Sequence, residues 1–176
     1  MRRTLVPALA LALLACAGAR PAAAQMGGIN LGAAVGVSAP SGDISGLFNS
    51  GYHIQGLADL SLPLVPIGFR GELAYDQLGA KGSSPGPLKV ASGVFDATFS
   101  VPFPVLHPYA IGGLGYYLHN GGAGIGSREG KVGFNGGVGV ELKLPVIRVF
   151  GEARYHSISY PGTRVAMIPL TVGIVF

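Results

Sequence analysis

The sequence predicts an all-β fold: an eight-stranded antiparallel up-and-down transmembrane β-barrel, preceded by a cleavable signal peptide. Three observations carry this expectation. Charged residues make up only 11% of the chain against 49% hydrophobic, whereas a water-facing exterior usually carries roughly 25 to 35% charge. No apolar stretch after residue 25 approaches the roughly 20 residues that a membrane-spanning helix needs. Alternation of apolar and polar residues with period two, the signature of a two-faced strand, recurs through the rest of the chain.

Residues 1–24 read as the signal peptide and residues 25–176 as the barrel domain. Arg2 and Arg3 form a charged start, Leu5 to Ala15 an apolar core, and Ala22, Ala23 and Ala24 a small-residue cleavage site before Gln25. Arg20 cuts the apolar run short of a membrane anchor. Cys16, the only cysteine, follows Leu13-Leu14-Ala15, so lipid attachment there is the competing processing route; with cleavage after Ala24 the mature chain has no cysteine and no disulfide. The formal charge of +4 also shrinks on cleavage: without Arg2, Arg3 and Arg20, nine basic residues face eight acidic ones, a net of +1. No concentrated basic face remains, and nucleic acid is not an expected partner.

The strands follow in order. Residues 28–39 set Ile29, Leu31, Ala33, Val35 and Val37 against Asn30, Gly32, Ala34, Gly36 and Ser38. Residues 51–62 alternate except at Leu57. In 68–77, Phe69, Leu73 and Tyr75 oppose Arg70, Glu72 and Asp76, and in 91–101, Phe95, Ala97, Phe99 and Val101 oppose Ser92, Asp96, Thr98 and Ser100. Residues 108–118 carry aromatics on both faces. Residues 134–144 oppose Phe134, Val138, Val140, Leu142 and Leu144 to Asn135, Gly137, Gly139, Glu141 and Lys143; residues 148–158 oppose Val149, Ala153 and Tyr155 to Glu152, Arg154 and His156. The last strand brings Ile168, Leu170, Val172, Ile174 and Phe176 to one face.

The connections sort by length. Short proline-bearing turns at 63–67, 102–106 and 145–147 are expected on the periplasmic side, and the longer segments 40–50, 79–89, 119–131 and 159–164 outside, as in bacterial barrels. The repeat of about 40 residues also fits a propeller blade, but a blade needs four strands per period and each period here holds two.

Charge placement decides which face points where. Asp59, Glu72, Asp76, Asp96, Glu141 and Glu152 fall on polar faces with Arg70, Lys143 and Arg154. An eight-stranded barrel has an interior just wide enough to be filled by side chains, so these charges are expected to pair inside it. The predicted lumen network is Asp59, Arg70, Glu72, Asp96, Glu141, Lys143, Glu152 and Arg154. The apolar face then meets lipid, with Tyr52, Tyr75, Tyr117 and Tyr155 as an interfacial girdle; ordinary strand preference for tyrosine is the competing explanation.

The run Gly136-Gly137-Val138-Gly139-Val140-Glu141, the strand Glu152-Ala153-Arg154-Tyr155 and the apolar final strand ending in Phe176 resemble the small outer-membrane β-barrel, or porin-like, family. The resemblance implies a bacterial outer-membrane location and a barrel-assembly machinery that reads Phe176 as a C-terminal signal. Its members range from structural and adhesive proteins to ones that pass small apolar solutes.

No catalytic, cofactor or metal site is expected. His156 and Ser157 approach the pairing of eight-stranded lipid A deacylases, but those enzymes carry serine two positions after histidine, on the same strand face, where this chain has Ile158. Gly122 to Gly126 looks like a phosphate loop without the helix that such a loop needs. His53, His107, His119 and His156 lack metal-ligand spacing. Lys81, Lys89, Arg128, Lys131 and Arg164, against only Asp43 and Glu129, give the outer loops a basic excess that fits anionic glycolipid such as lipopolysaccharide. The expected protein is a non-enzymatic, monomeric outer-membrane barrel with a structural or interaction role and limited small-molecule passage. The rival functions are a narrow transporter of small apolar solutes, a lipid A-modifying enzyme and a soluble periplasmic ligand-binding barrel.

Overall fold

In the computed structural model of the chain, the residues described are 28–62, 64–82, 86–101, 103–120, 130–160 and 163–176. The expected signal peptide, Cys16, Arg128 and the glycine-rich segment 122–126 lie outside them. Eight strands follow one another: β1 (Ile29–Gly42), β2 (Phe48–Ser61), β3 (Ile67–Ala80), β4 (Leu88–Ser100), β5 (Leu106–Asn120), β6 (Gly130–Lys143), β7 (Arg148–Tyr160) and β8 (Thr163–Val175). Each pairs antiparallel with its sequence neighbours, and β8 returns to β1, so the sheet is a closed barrel without an edge. Phe176 N completes the seam by donating to Leu31 O at 2.8 Å.

Strands of 13 to 15 residues exceed the lengths expected from alternation. At about 3.3 Å per residue and a tilt of roughly 40°, a 14-residue strand rises about 35 Å, more than the ~25 Å apolar band of such barrels. The surplus projects at the outer end, where backbone pairing continues after the side-chain pattern has stopped. Lys89, Lys131 and Arg164, expected in loops, therefore stand on β4, β6 and β8.

The apolar faces point outward. Leu73 is 75% exposed and Val138 64%, while Arg70, Glu72, Asp96, Glu152 and Arg154 are buried. A soluble ligand-binding barrel would show the reverse arrangement. Among the described residues no helix is long and apolar enough to cross a membrane; the strands do the crossing, and closure satisfies their backbone groups where no water is available.

Two irregularities occur in the ladders. The β2–β3 register shifts between Asn49 and Tyr52. The β7–β8 pairing skips from Ala153/Leu170 to His156/Met167, beside Pro169, which has no N–H to contribute. The girdle needs one correction: Tyr117 points inward and is fully buried, and its outward neighbour Tyr116, 52% exposed, takes the interfacial position instead. Tyr52, Tyr75 and Tyr155 share the outward face of their strands.

An outward position at mid-height should reject charge. Leu73→Arg is expected to destabilise the barrel by about 2–4 kcal/mol in a bilayer, measured as a shift in the guanidinium unfolding midpoint of protein folded into phospholipid vesicles.

Candidate functional site

The inward residues of β3 and β7 give the layering of the lumen. From the outer end inward, β3 presents Leu78, Asp76, Glu72 and Arg70, and β7 presents Ile158, His156, Arg154, Glu152, Phe150 and Arg148. An apolar layer therefore lies outermost, with a histidine–tyrosine layer, an ion-pair layer and a polar mouth below it.

The apolar layer consists of Ile44, Phe48, Leu78, Leu88, Val90, Val94, Tyr117, Ile158, Val165 and Met167, all buried. Ile44 belongs to the turn between β1 and β2, which folds back over the opening; Leu47 N and Phe48 N both donate to Ile44 O, at 3.1 and 3.2 Å. Alternation gave no sign of this plug, because toward the outer end the pattern inverts, with Leu78 and Leu88 inward beside outward Gln77 and Lys89. A second apolar group, Ala34, Leu57, Phe150 and Val175, lines one wall lower down. Leu57, the exception to alternation in β2, belongs to it.

Below the plug, His53 contacts Asp76 through Nδ1 (2.8 Å) and Gln55 through Nε2 (2.9 Å). The hydroxyl of Tyr117 lies 2.7 Å from His156 Nδ1, with the rings edge to face. Gly115 and Gly133 flank the Tyr117 ring so closely that a Cβ on either would stand about 3 Å from it, at 2.9 and 3.0 Å. Close packing thus accounts for these two glycines.

The ion-pair layer gathers most of the predicted network. Arg154 donates from Nε to Glu152, from Nη2 to Glu72 and from Nη1 to Asp96 Oδ2 at 2.7 Å. Arg70 donates to Asp59 Oδ1 from Nε at 2.6 Å and to Glu152 Oε2 from Nη1 at 2.9 Å. Tyr109 and Asn135, which sequence reasoning did not single out, add donors to Glu152 (2.7 Å) and Asp96 (2.8 Å). The rings of Tyr109 and Phe150 lie 5.6 and 5.1 Å from the Arg70 guanidinium. Asp59, Glu72, Asp76, Asp96, Glu141 and Glu152 outnumber the three lumen arginines among the described residues, so each guanidinium fork serves more than one carboxylate.

At the periplasmic mouth, Arg148 joins Glu141 (2.9 Å) to Asp59 (3.4 Å). Sequence reasoning left Arg148 out, although it shares a strand face with Glu152 and Arg154. Lys143 is half exposed, 4.0 Å from Glu141, and marks the lip of the lumen rather than its interior. A polar recess of about 60 Å³ opens here, lined by Asp59, Arg70, His107, Tyr109, Glu141 and Arg148 among others.

The family profile of the outer membrane protein beta-barrel domain matches residues 8–176. This chain belongs to that family. It is a β-barrel protein of the bacterial outer membrane. Among solved structures it is similar to Neisserial surface protein A (TM-score 0.68, 17% identity, 84% of this chain and 95% of that one). It is also similar to Ail, the attachment invasion locus protein of Yersinia pestis (TM-score 0.56, 18% identity, 84% and 97%). The N-terminal β-barrel domain of Pseudomonas aeruginosa OprF is a third (TM-score 0.52, 16% identity, 84% and 97%). At these identities the likeness is one of fold. No curated protein matches the chain in sequence.

The geometry offers little to catalysis. His156 is engaged by Tyr117, while Ser157 stands on the opposite face of β7, its Oγ without a hydrogen-bond partner among the described residues. Among those residues no group of three or more His, Cys, Asp or Glu could hold a metal ion.

Arg154 is the hub of the lumen. Arg154→Ala leaves Glu72, Glu152 and Asp96 sharing too few donors and should cost about 3–5 kcal/mol. Arg148→Ala, at the wetter mouth, should cost distinctly less. Guanidinium unfolding of the two variants in the same vesicles compares them.

Proposed function

We propose that this outer-membrane barrel is a non-conducting, non-enzymatic protein whose role is structural or lies in interactions at its outer end. One observation carries the reading: the lumen is filled twice over, by the apolar plug around Ile44 and Phe48 and again by the Arg70–Arg154 ion pairs. An ion crossing it would have to shed water against the plug and then break buried pairs. A route for small apolar solutes would have to pass the same charged layer, which disfavours that rival. Barrels of this architecture carry their longer connections at the outer end, and toward that end stand Lys81, Lys89, Lys131 and Arg164. Phe176 serves as the assembly signal in this reading.

Single-channel recording in planar bilayers tests it. The wild-type protein should give no discrete openings, and Ile44→Gly with Phe48→Ala should remain silent because the ion-pair layer persists. Reproducible openings of the wild type, or saturable uptake of a small apolar solute by vesicles containing it, would refute the proposal.

A further inference from the structure

The outer rim differs from sector to sector in a way the lumen does not explain. Across β2 to β5 the register aligns Tyr52 with Gln77, Gln77 with Lys89, and Lys89 with Asn120. Lys89 alternates with buried Leu88 and Val90, so it points away from the lumen, and Tyr52 and Asn120 are exposed with it. The Tyr52 hydroxyl donates to Gln77 Oε1 at 3.3 Å, which orients the amide of Gln77 with its nitrogen as the remaining donor. One row toward the membrane, the outward residues are Ile54, Tyr75, Ala91 and Leu118. The next row is Gly56, Leu73, Gly93 and Tyr116. The change from hydrocarbon to polar surroundings thus falls at the row of Lys89, beneath the exposed Lys81 of the β3–β4 turn.

Neither Lys81 nor Lys89 has an ion-pair partner among the described residues. The other strand-borne cations differ: Arg164 stands beside Asp43, which accepts from its backbone N at 2.8 Å, and Lys131 shares the inward face of β6 with Gly133 and Asn135. Among the described residues, Lys81 and Lys89 thus stand together without an ion-pair partner in the β3–β5 sector, where Lys89 points outward at headgroup level.

We propose that this sector, centred on Lys89 with Lys81, Gln77 and Asn120, docks the phosphorylated sugar of an outer-leaflet glycolipid, whose acyl chains lie along the apolar rows below. The fit is that of ammonium and amide donors beside aromatic rings to a phosphosugar head above hydrocarbon. This inference rests on the interaction reading above but fails separately from it, since a silent pore and an unselective rim are independent results.

The test uses the folded barrel in detergent micelles, titrated with purified phosphorylated lipid A, with dephosphorylated lipid A and with phosphatidylglycerol, and followed by amide chemical shifts. Phosphorylated lipid A should move signals of residues 75–81, 88–91 and 116–120 at the lowest concentration. Lys81→Ala with Lys89→Ala should weaken that binding roughly tenfold or more, while Arg164→Ala leaves it unchanged; heat-modifiable gel mobility verifies that each variant is folded. An equal response to dephosphorylated lipid A or to phosphatidylglycerol, or a double variant that binds like the wild type, would overturn the assignment.

Discussion

Closure of the sheet is the constraint from which the other features follow. In hydrocarbon each unpaired backbone N–H or C=O costs several kcal/mol, so the ladder must run from strand to strand and back to its start. Eight strands closed in this way leave an interior with room for side chains and little else. The inward positions then have to fill that space, and the charged ones among them pair across the lumen. The glycines beside Tyr117 and the forked arginines are two solutions to that one demand.

The lumen meets the demand in two manners. Near the outer opening it is filled as a soluble core is, with leucine, valine, isoleucine and phenylalanine. Farther in, it is filled by charge, three arginines holding a larger set of carboxylates. Buried ion pairs are poor contributors to net stability, because desolvation offsets their attraction, but they are costly to disrupt singly. The charged layer therefore enforces one arrangement of β2, β3, β4, β6 and β7 about the axis, whereas the apolar layer contributes area.

Much of this was legible in the sequence, and the reasons for the exceptions are physical. Alternation found all eight strands, since period two is what a wall between two unlike media requires. It placed Asp59, Arg70, Glu72, Asp96, Glu141, Glu152 and Arg154 on polar faces, and the structure brings them together in the lumen. It failed near the outer end, where β5 carries aromatics on both faces and the inward residues of β3 and β4 turn apolar. Tyr117 could not be told from Tyr116 in β5, and Ile44, Leu78 and Leu88 gave no sign that they point inward. Arg148 was within reach of the same reasoning, four residues before Glu152 on the same face with Phe150 between them, but that aromatic interrupts the polar run. Partner choice within the lumen depends on shear between strands, which no local pattern records; Arg154 reaching Glu72 across 82 positions is an example.

The seam between β1 and β8 joins the first strand of the barrel to the eighth, and beyond the paired strands it is extended by the bond from Phe176 N to Leu31 O. Until β8 meets β1, two open edges remain and no lumen exists. The edges of β1 and β8 must therefore be kept from other partners until the ring shuts. A chain shortened by one strand would not be a slightly weaker barrel but an open ribbon, with unpaired edges offered to its neighbours.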